Sequence, residues 1–100
     1  MSQTNAIFQA IADPTRRQLL LKLRNKRLSI SQLAEDVPMS RNAVVKHLQQ
    51  LENATLVTTE KKGRENLYSL NAEGLKEVQD WLAIFDEFWD EKLDALQKLF

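Results

Sequence analysis

The sequence predicts a mostly α-helical domain with one small β-hairpin. Three observations lead there. Only 2 Gly and 2 Pro stand among 100 residues, so helix breakers are scarce. Apolar residues recur at helical spacing in several separate segments, most of them opened by a capping residue. A single stretch, residues 56–70, is rich in Thr, Val, Leu and Tyr around a basic turn holding a glycine. One hundred residues is the length of one domain. With 43% apolar and 28% charged side chains it can bury a modest core.

The elements follow in order. Thr4 is expected to cap a short N-terminal helix within residues 1–13, with Ile7, Phe8 and Ile11 on one side. Asp13-Pro14 ends it and opens the next: the Asp carboxylate accepts a free backbone N–H, and Pro has none to waste in a first turn. That second helix runs to about Asn25, with Leu19, Leu20 and Leu23 as its apolar stripe. Leu28 begins a short extended link. Ser29-Ile30-Ser31-Gln32 has the S-x-x-Q form of a capping box and opens a helix of about two turns to Asp36, burying Leu33 and Ala34. Val37-Pro38-Met39 breaks it. Ser40 then caps a helix from Arg41 to about Asn53, in which Val44, Leu48 and Leu51 share the buried face. Leu56–Glu60 reads as a strand, Lys61-Lys62-Gly63-Arg64 as a basic turn, and Glu65–Leu70 as the returning strand. Asn71 caps a last helix that extends almost to Phe100.

Two short helices around a tight turn, the second with a polar start, followed by a basic hairpin, make a helix-turn-helix (residues 29–53) with a wing (residues 56–70). The fold class is therefore a winged helix-turn-helix with a long C-terminal dimerisation helix (residues 71–100), all in one domain. In such a unit the second helix enters the major groove with its first residues on base edges. Ser40, Arg41 and Asn42 are those residues. Arg can bond two acceptors of guanine and Asn two groups of adenine in one plane, whereas the bland alternative is a solvated helix face. Lys46 and Gln49 follow on the same helix as rim or phosphate contacts, and Val45 is counted with them as DNA-facing. Gln32 either completes the capping box or bonds a phosphate. His47, the only histidine, lies on the same helix as Arg41, and as a metal ligand it would need partners across a dimer axis. Lys61, Lys62 and Arg64 at the wing displace counterions, and Arg64 has the reach to enter a minor groove. The charge distribution agrees: residues 1–70 carry eleven basic and six acidic side chains, a net +5, and residues 71–100 carry three and eight, a net −5.

The last helix is the other informative segment. Leu75, Val78, Leu82, Phe85, Trp89, Leu93, Leu96 and Phe100 form a near-heptad seam, widened by Trp81, Ile84 and Phe88. On a helix of about 27 residues, about 40 Å long, that face exceeds what residues 1–70 can cover. A second copy is the simplest cover, with Ile7, Phe8 and Ile11 joining Trp81, Leu82, Phe85, Phe88, Trp89, Leu93 and Leu96 in the interface. The bland alternative is a helix folded back over its own domain.

Other function classes are excluded or disfavoured. The absence of Cys removes disulfides, thiolate zinc sites and a Cys nucleophile, and a single His removes a multi-histidine metal site within one chain. Asp86, Asp90 and Asp94, with Glu87 and Glu91, read as the solvated face of the last helix rather than a cation or catalytic site. Gly63 and Gly74 are isolated, so no nucleotide-binding fingerprint exists. The chain is expected to be no enzyme and to need no cofactor or metal. No apolar run approaches the roughly 18 residues of a membrane span, and the N-terminus lacks the features of a signal peptide, so the expected location is the cytoplasm.

Ile7–Leu20 (IFQAIADPTRRQLL) resembles the first signature of the ArsR family of bacterial winged-helix transcriptional regulators. Ser31–Glu35 followed by Met39–Leu48 resembles its helix-turn-helix, and Leu51–Val57 its passage into the wing. The resemblance suggests that His47 packs at the helix edge or bonds a phosphate. The match is colinear from about Ile7 to Trp89, and Asp80–Leu82 with Phe85–Trp89 looks like the non-metal, autorepressor-like branch. The resemblance implies a homodimeric repressor on an inverted-repeat operator near its own promoter, with double-stranded DNA and a second copy as partners and any small-molecule effector unknown. Metal sensing is not carried over: the helix before the recognition helix reads Leu33-Ala34-Glu35-Asp36 without Cys, and the last helix has no His. Members often carry Pro or Gln where Asn42 stands and Ser or Thr where Val45 stands, so no operator sequence is carried over either. The rival reading is a winged-helix module that dimerises and recruits a protein without touching DNA, motivated by zero net charge and the aromatic-rich last helix.

Overall fold

A computed structural model describes residues 3–99. The elements are α1 (Gln3–Ile11), α2 (Pro14–Lys22), β1 (Leu28–Ser29), α3 (Ile30–Ala34), α4 (Arg41–Asn53), β2 (Val57–Lys62), β3 (Glu65–Leu70), α5 (Ala72–Ala83) and α6 (Asp86–Lys98). The strands form one antiparallel sheet in the order β1-β3-β2. The extended link at Leu28 is thus a true strand: Leu28 pairs with Tyr68 and Ser29 with Leu67. This strand joins the front of the helix-turn-helix to the wing.

Among the described residues the largest fully buried side chains are Ile7, Leu19, Leu23, Leu33, Val44, Leu48, Leu51, Leu56 and Val57. They come from α1 to β2, so the core is closed before α5 begins. Leu75 and Val78 of α5 pack against it only partly, and α6 buries nothing. Gly74 sets how closely α5 docks. A Cβ there would lie 2.1 Å from the Thr55 carbonyl oxygen, so only glycine lets the helix approach the α4–β2 turn. Asn71 fastens the same corner: it caps α5 through Glu73 N–H at 3.3 Å and donates from Nδ2 to Thr55 O at 2.8 Å.

Four expectations are corrected. Thr4 does not cap α1 but sits within it, and its hydroxyl donates to Glu77 of α5. α2 ends at Lys22 rather than Asn25, because Asn25 takes a left-handed φ of 55° that a helix cannot hold. α3 likewise stops at Ala34, short of Asp36, whose φ is 65°. The last helix is two helices. Ile84 N–H bonds to Trp81 O and Phe85 N–H to Leu82 O, both three residues back, and α6 restarts when Trp89 N–H reaches Phe85 O. This tightening closes a turn without Gly or Pro, and the Trp81 and Phe85 rings pack edge to face across it at 5.1 Å. Phe100, the last residue of the predicted seam, lies outside the described residues.

Candidate nucleic-acid interface

The front of the molecule is built from its caps. Ser29 Oγ accepts from Gln32 N–H at 3.3 Å while Gln32 Oε1 accepts from Ser29 N–H at 2.9 Å, a complete capping box. Gln32 therefore has its amide oxygen committed to the cap. Lys22 closes the other end of α3, donating to the Leu33 and Glu35 carbonyls. The turn that follows buries Val37 and leads to Ser40, whose hydroxyl accepts from Ala43 N–H at 3.1 Å. Ser40 is thus the N-cap of α4, and its oxygen serves the helix.

With Val44, Leu48 and Leu51 in the core, helical spacing sends Asn42, Val45, Lys46 and Gln49 to the opposite face. Asn42, Lys46 and Gln49 are exposed and Val45 is half-buried. Arg41 and His47 lie on the two flanks. Arg41 is exposed and donates from Nη1 to Ser31 Oγ at 3.2 Å. It shares a cleft of about 100 Å³ with Ser29, Ser31, Arg64, Glu65 and Asn66, so the start of α4 and the wing turn open on one surface. Sequence reasoning passed over Ser31 and Asn66. The position of Ser31 one residue inside the capping box was the signal for the first, while β3 pairing, which brings Asn66 there, has no local signal.

His47 turns inward on the other flank. Its Nδ1 lies 3.4 Å from Arg16 Nη1 and 3.9 Å from Asp13 Oδ2, with the imidazole only 22% exposed. Asp13 caps α2 through Arg16 N–H at 3.0 Å. That hydrogen bond holds its carboxyl below the usual range, helped by the nearby Arg16 charge.

The wing departs from expectation in one respect. Lys61 and Lys62 belong to β2, paired with Asn66 and Glu65, and only Gly63-Arg64 form the turn. Gly63 has φ +63° and Arg64 does not share that sign, the pattern of a type II′ hairpin. Successive strand residues point to opposite faces, so Lys61 and Lys62 diverge. Lys61 lies on the face where Thr59 meets Glu52 of α4, and Lys62 on that of the Glu60–Arg27 ion pair.

At the rear, Trp81, Leu82, Phe85, Phe88, Trp89, Leu93 and Leu96 are each between 39% and 54% exposed. Phe8 of α1 joins them, its ring 5.3 Å from Trp81. Ile7 does not. It is 0% exposed inside its own domain and has no surface to offer a second copy, so its expected interface role is withdrawn. Ile11 is half-buried against the same core. Among the described residues no three His, Asp or Glu side chains gather as metal ligands, and no helix is long and apolar enough to cross a membrane.

Known proteins are similar to this chain in sequence and fold. Residues 13–59, from the α2 cap into β2, match the model of the bacterial regulatory protein arsR family. The HTH-type transcriptional regulator Rv2034 of Mycobacterium tuberculosis is 37% identical over 92 residues, 92% of this chain and 83% of that one. The transcriptional repressor SdpR of Bacillus subtilis is 33% identical over 81 residues, 81% of this chain and 90% of that one. A crystal structure of an ArsR family transcriptional regulator, RHA00566, superposes with a TM-score of 0.80 at 37% identity, covering 89% of this chain and 98% of the other. Capped α4, wing and sequence together make this chain a member of the ArsR family, a winged helix-turn-helix transcriptional regulator.

Proposed function

We propose that the chain is a homodimeric repressor that reads an inverted-repeat operator in double-stranded DNA. The observation that carries this is the common surface of the α4 start and the wing turn, where Arg41 and Arg64 line one cleft beside exposed Asn42. Arg41 and Asn42 read bases, and Val45 meets a base or sugar edge. Lys46, Gln49, Lys61, Lys62 and Arg64 bind backbone or minor groove. Ser40, Gln32 and His47 support that surface, each with one polar atom already used inside the protein. Repression is supported by the Bacillus subtilis relative, itself a transcriptional repressor. The reading is of a regulator in the cytoplasm and not of an enzyme.

Dimerisation is supported by the rear. The radius of gyration is 16.8 Å, against about 13 Å for a compact domain of this length, because α6 runs out from a core already complete. Its half-exposed seam, continued by Trp81 and Phe8, is too large a contiguous apolar face for a lone domain. A two-fold copy covers it and sets two α4 helices about 34 Å apart on one face of DNA.

Selection from random duplex DNA tests the reading. Recovery of an inverted repeat with half-sites about one turn apart is the expected result. Recovery of no sequence by folded protein overturns it. The rival interaction module, favoured by the zero net charge, predicts no steep salt dependence, whereas for a DNA reader log K falls with log salt at a slope of about 0.9 per phosphate contact.

A further inference from the structure

We infer that Arg16 is a positioning residue for DNA recognition, tying the recognition helix α4 to α1 by holding the ring of His47. This rests on the DNA-reading function proposed above. Three helices meet at the guanidinium. Nε donates to Ala10 O at 2.7 Å and Nη2 to Gln9 O at 3.3 Å, carbonyls at the end of α1, the second of which also accepts from Ala12 N–H at 3.3 Å. Nη1 faces His47 Nδ1 at 3.4 Å. Arg16's own N–H is capped by Asp13 at 3.0 Å, which fixes where its side chain begins.

The chemistry of the pair is one-directional. A guanidinium donates and cannot accept, so a hydrogen bond across this contact makes Nδ1 the acceptor and places the imidazole proton on Nε2, rather than on Nδ1 facing Asp13 Oδ2 at 3.9 Å. Arg16 thereby selects the tautomer of the only histidine in the sequence and fixes the rotation of its ring. Nε2–H is the form that gives a hydrogen bond to a phosphate. The same contact links α4 to α1, and α1 in turn is clamped to α5 by Phe8 on Trp81 and Thr4 on Glu77. The orientation of the recognition helix is thus connected through one side chain to the apolar rear that a second copy covers.

The test uses the full chain and Arg16→Gln. Because there is one histidine, a long-range nitrogen–proton spectrum of the ring contains one set of signals. Wild-type protein is expected to show a single Nε2–H tautomer, and the variant a mixture. On the selected operator the variant is expected to bind about tenfold more weakly, with sedimentation unchanged. The dependence on salt should also be unchanged, since no phosphate contact is lost. A salt slope reduced by about 0.9 makes Arg16 a phosphate ligand and overturns the inference. So does a wild-type ring that is Nδ1–H or mixed, a result that stands even if the variant fails to fold. Wild-type protein that binds no duplex sinks the DNA reading, whereas wild-type binding matched by an equally tight variant sinks this inference alone.

Discussion

Replacing Trp89 by Asp isolates the role of the rear seam. Trp89 is 53% exposed on a helix with no buried residue, so the body of the domain does not depend on it. A Trp side chain offers about 250 Å², of which roughly 130 Å² is left accessible here. Covering that area is worth about 3 kcal/mol at about 25 cal/mol per Å². A two-fold interface counts the loss twice, about 6 kcal/mol, or about four powers of ten in the dimer dissociation constant. Placing a carboxylate in the seam adds a desolvation cost. Sedimentation equilibrium across a concentration series reads the shift. The expected variant is a monomer with wild-type helicity that binds the operator only at high concentration. A variant that sediments as the wild-type dimer at every concentration refutes the interface, because no two-fold packing on this seam tolerates two charges at its centre. A variant that unfolds refutes the premise that α6 is independent of the core.

Gly74→Ala is expected to destabilise the fold by about 1 to 3 kcal/mol, against the helix preference for Ala, because the new Cβ falls 2.1 Å from Thr55 O; a thermal melt shifted upward would show that α5 docks elsewhere. Arg41→Ala is expected to cost about 1 to 3 kcal/mol on the operator and to relax base preference at one position, read by repeating the sequence selection with the variant. Asp13 has its carboxyl pKa depressed in the folded state, so the stability it contributes is present above its unfolded-state pKa and is lost as pH falls through the folded one. Asp13→Asn keeps the capping oxygen but not the charge, and should flatten that acidic limb in denaturant titrations; an unchanged limb would remove Asp13 as its source.

What was legible in the sequence depends on how local the cause is. Asp13, Ser29, Ser40 and Asn71 cap the helices they were expected to cap, because a cap is decided within three residues. The buried face of α4 also follows directly from its spacing. The break at Ile84–Phe85 was invisible, since neither residue is a breaker and the turn is stabilised by ring packing. Ile7 and Phe8 are adjacent apolar residues, and only the packed structure shows that the first faces its own core and the second the seam. Arg16, Arg17 and Lys22 count toward the net +5 of residues 1–70. Their atoms serve helix ends, Arg16 and Arg17 on the carbonyls of α1 and Lys22 on those of α3. Formal charge counts therefore overstate how many cations remain for a phosphate backbone.

That redistribution bears on how DNA binding can be regulated. α4 is held on three sides. Its apolar face is in the core, its Arg41 flank is tied to α3 at Ser31, and its His47 flank is tied to α1 and α2 through Arg16. These contacts oppose rolling or sliding of α4 and hold Asn42, Val45, Lys46 and Gln49 in relation to the body. The seam, by contrast, lies on elements that bury little, and the α5–α6 turn carries no side-chain cap. On the dimeric reading, the variable that an inducer or partner acts upon is the distance and angle between two rigid readers. A one-turn spacing of half-sites demands both. A signal at the rear would then abolish binding without altering one contact that a single copy makes, so isolated half-site affinity should stay constant while affinity for the full operator falls.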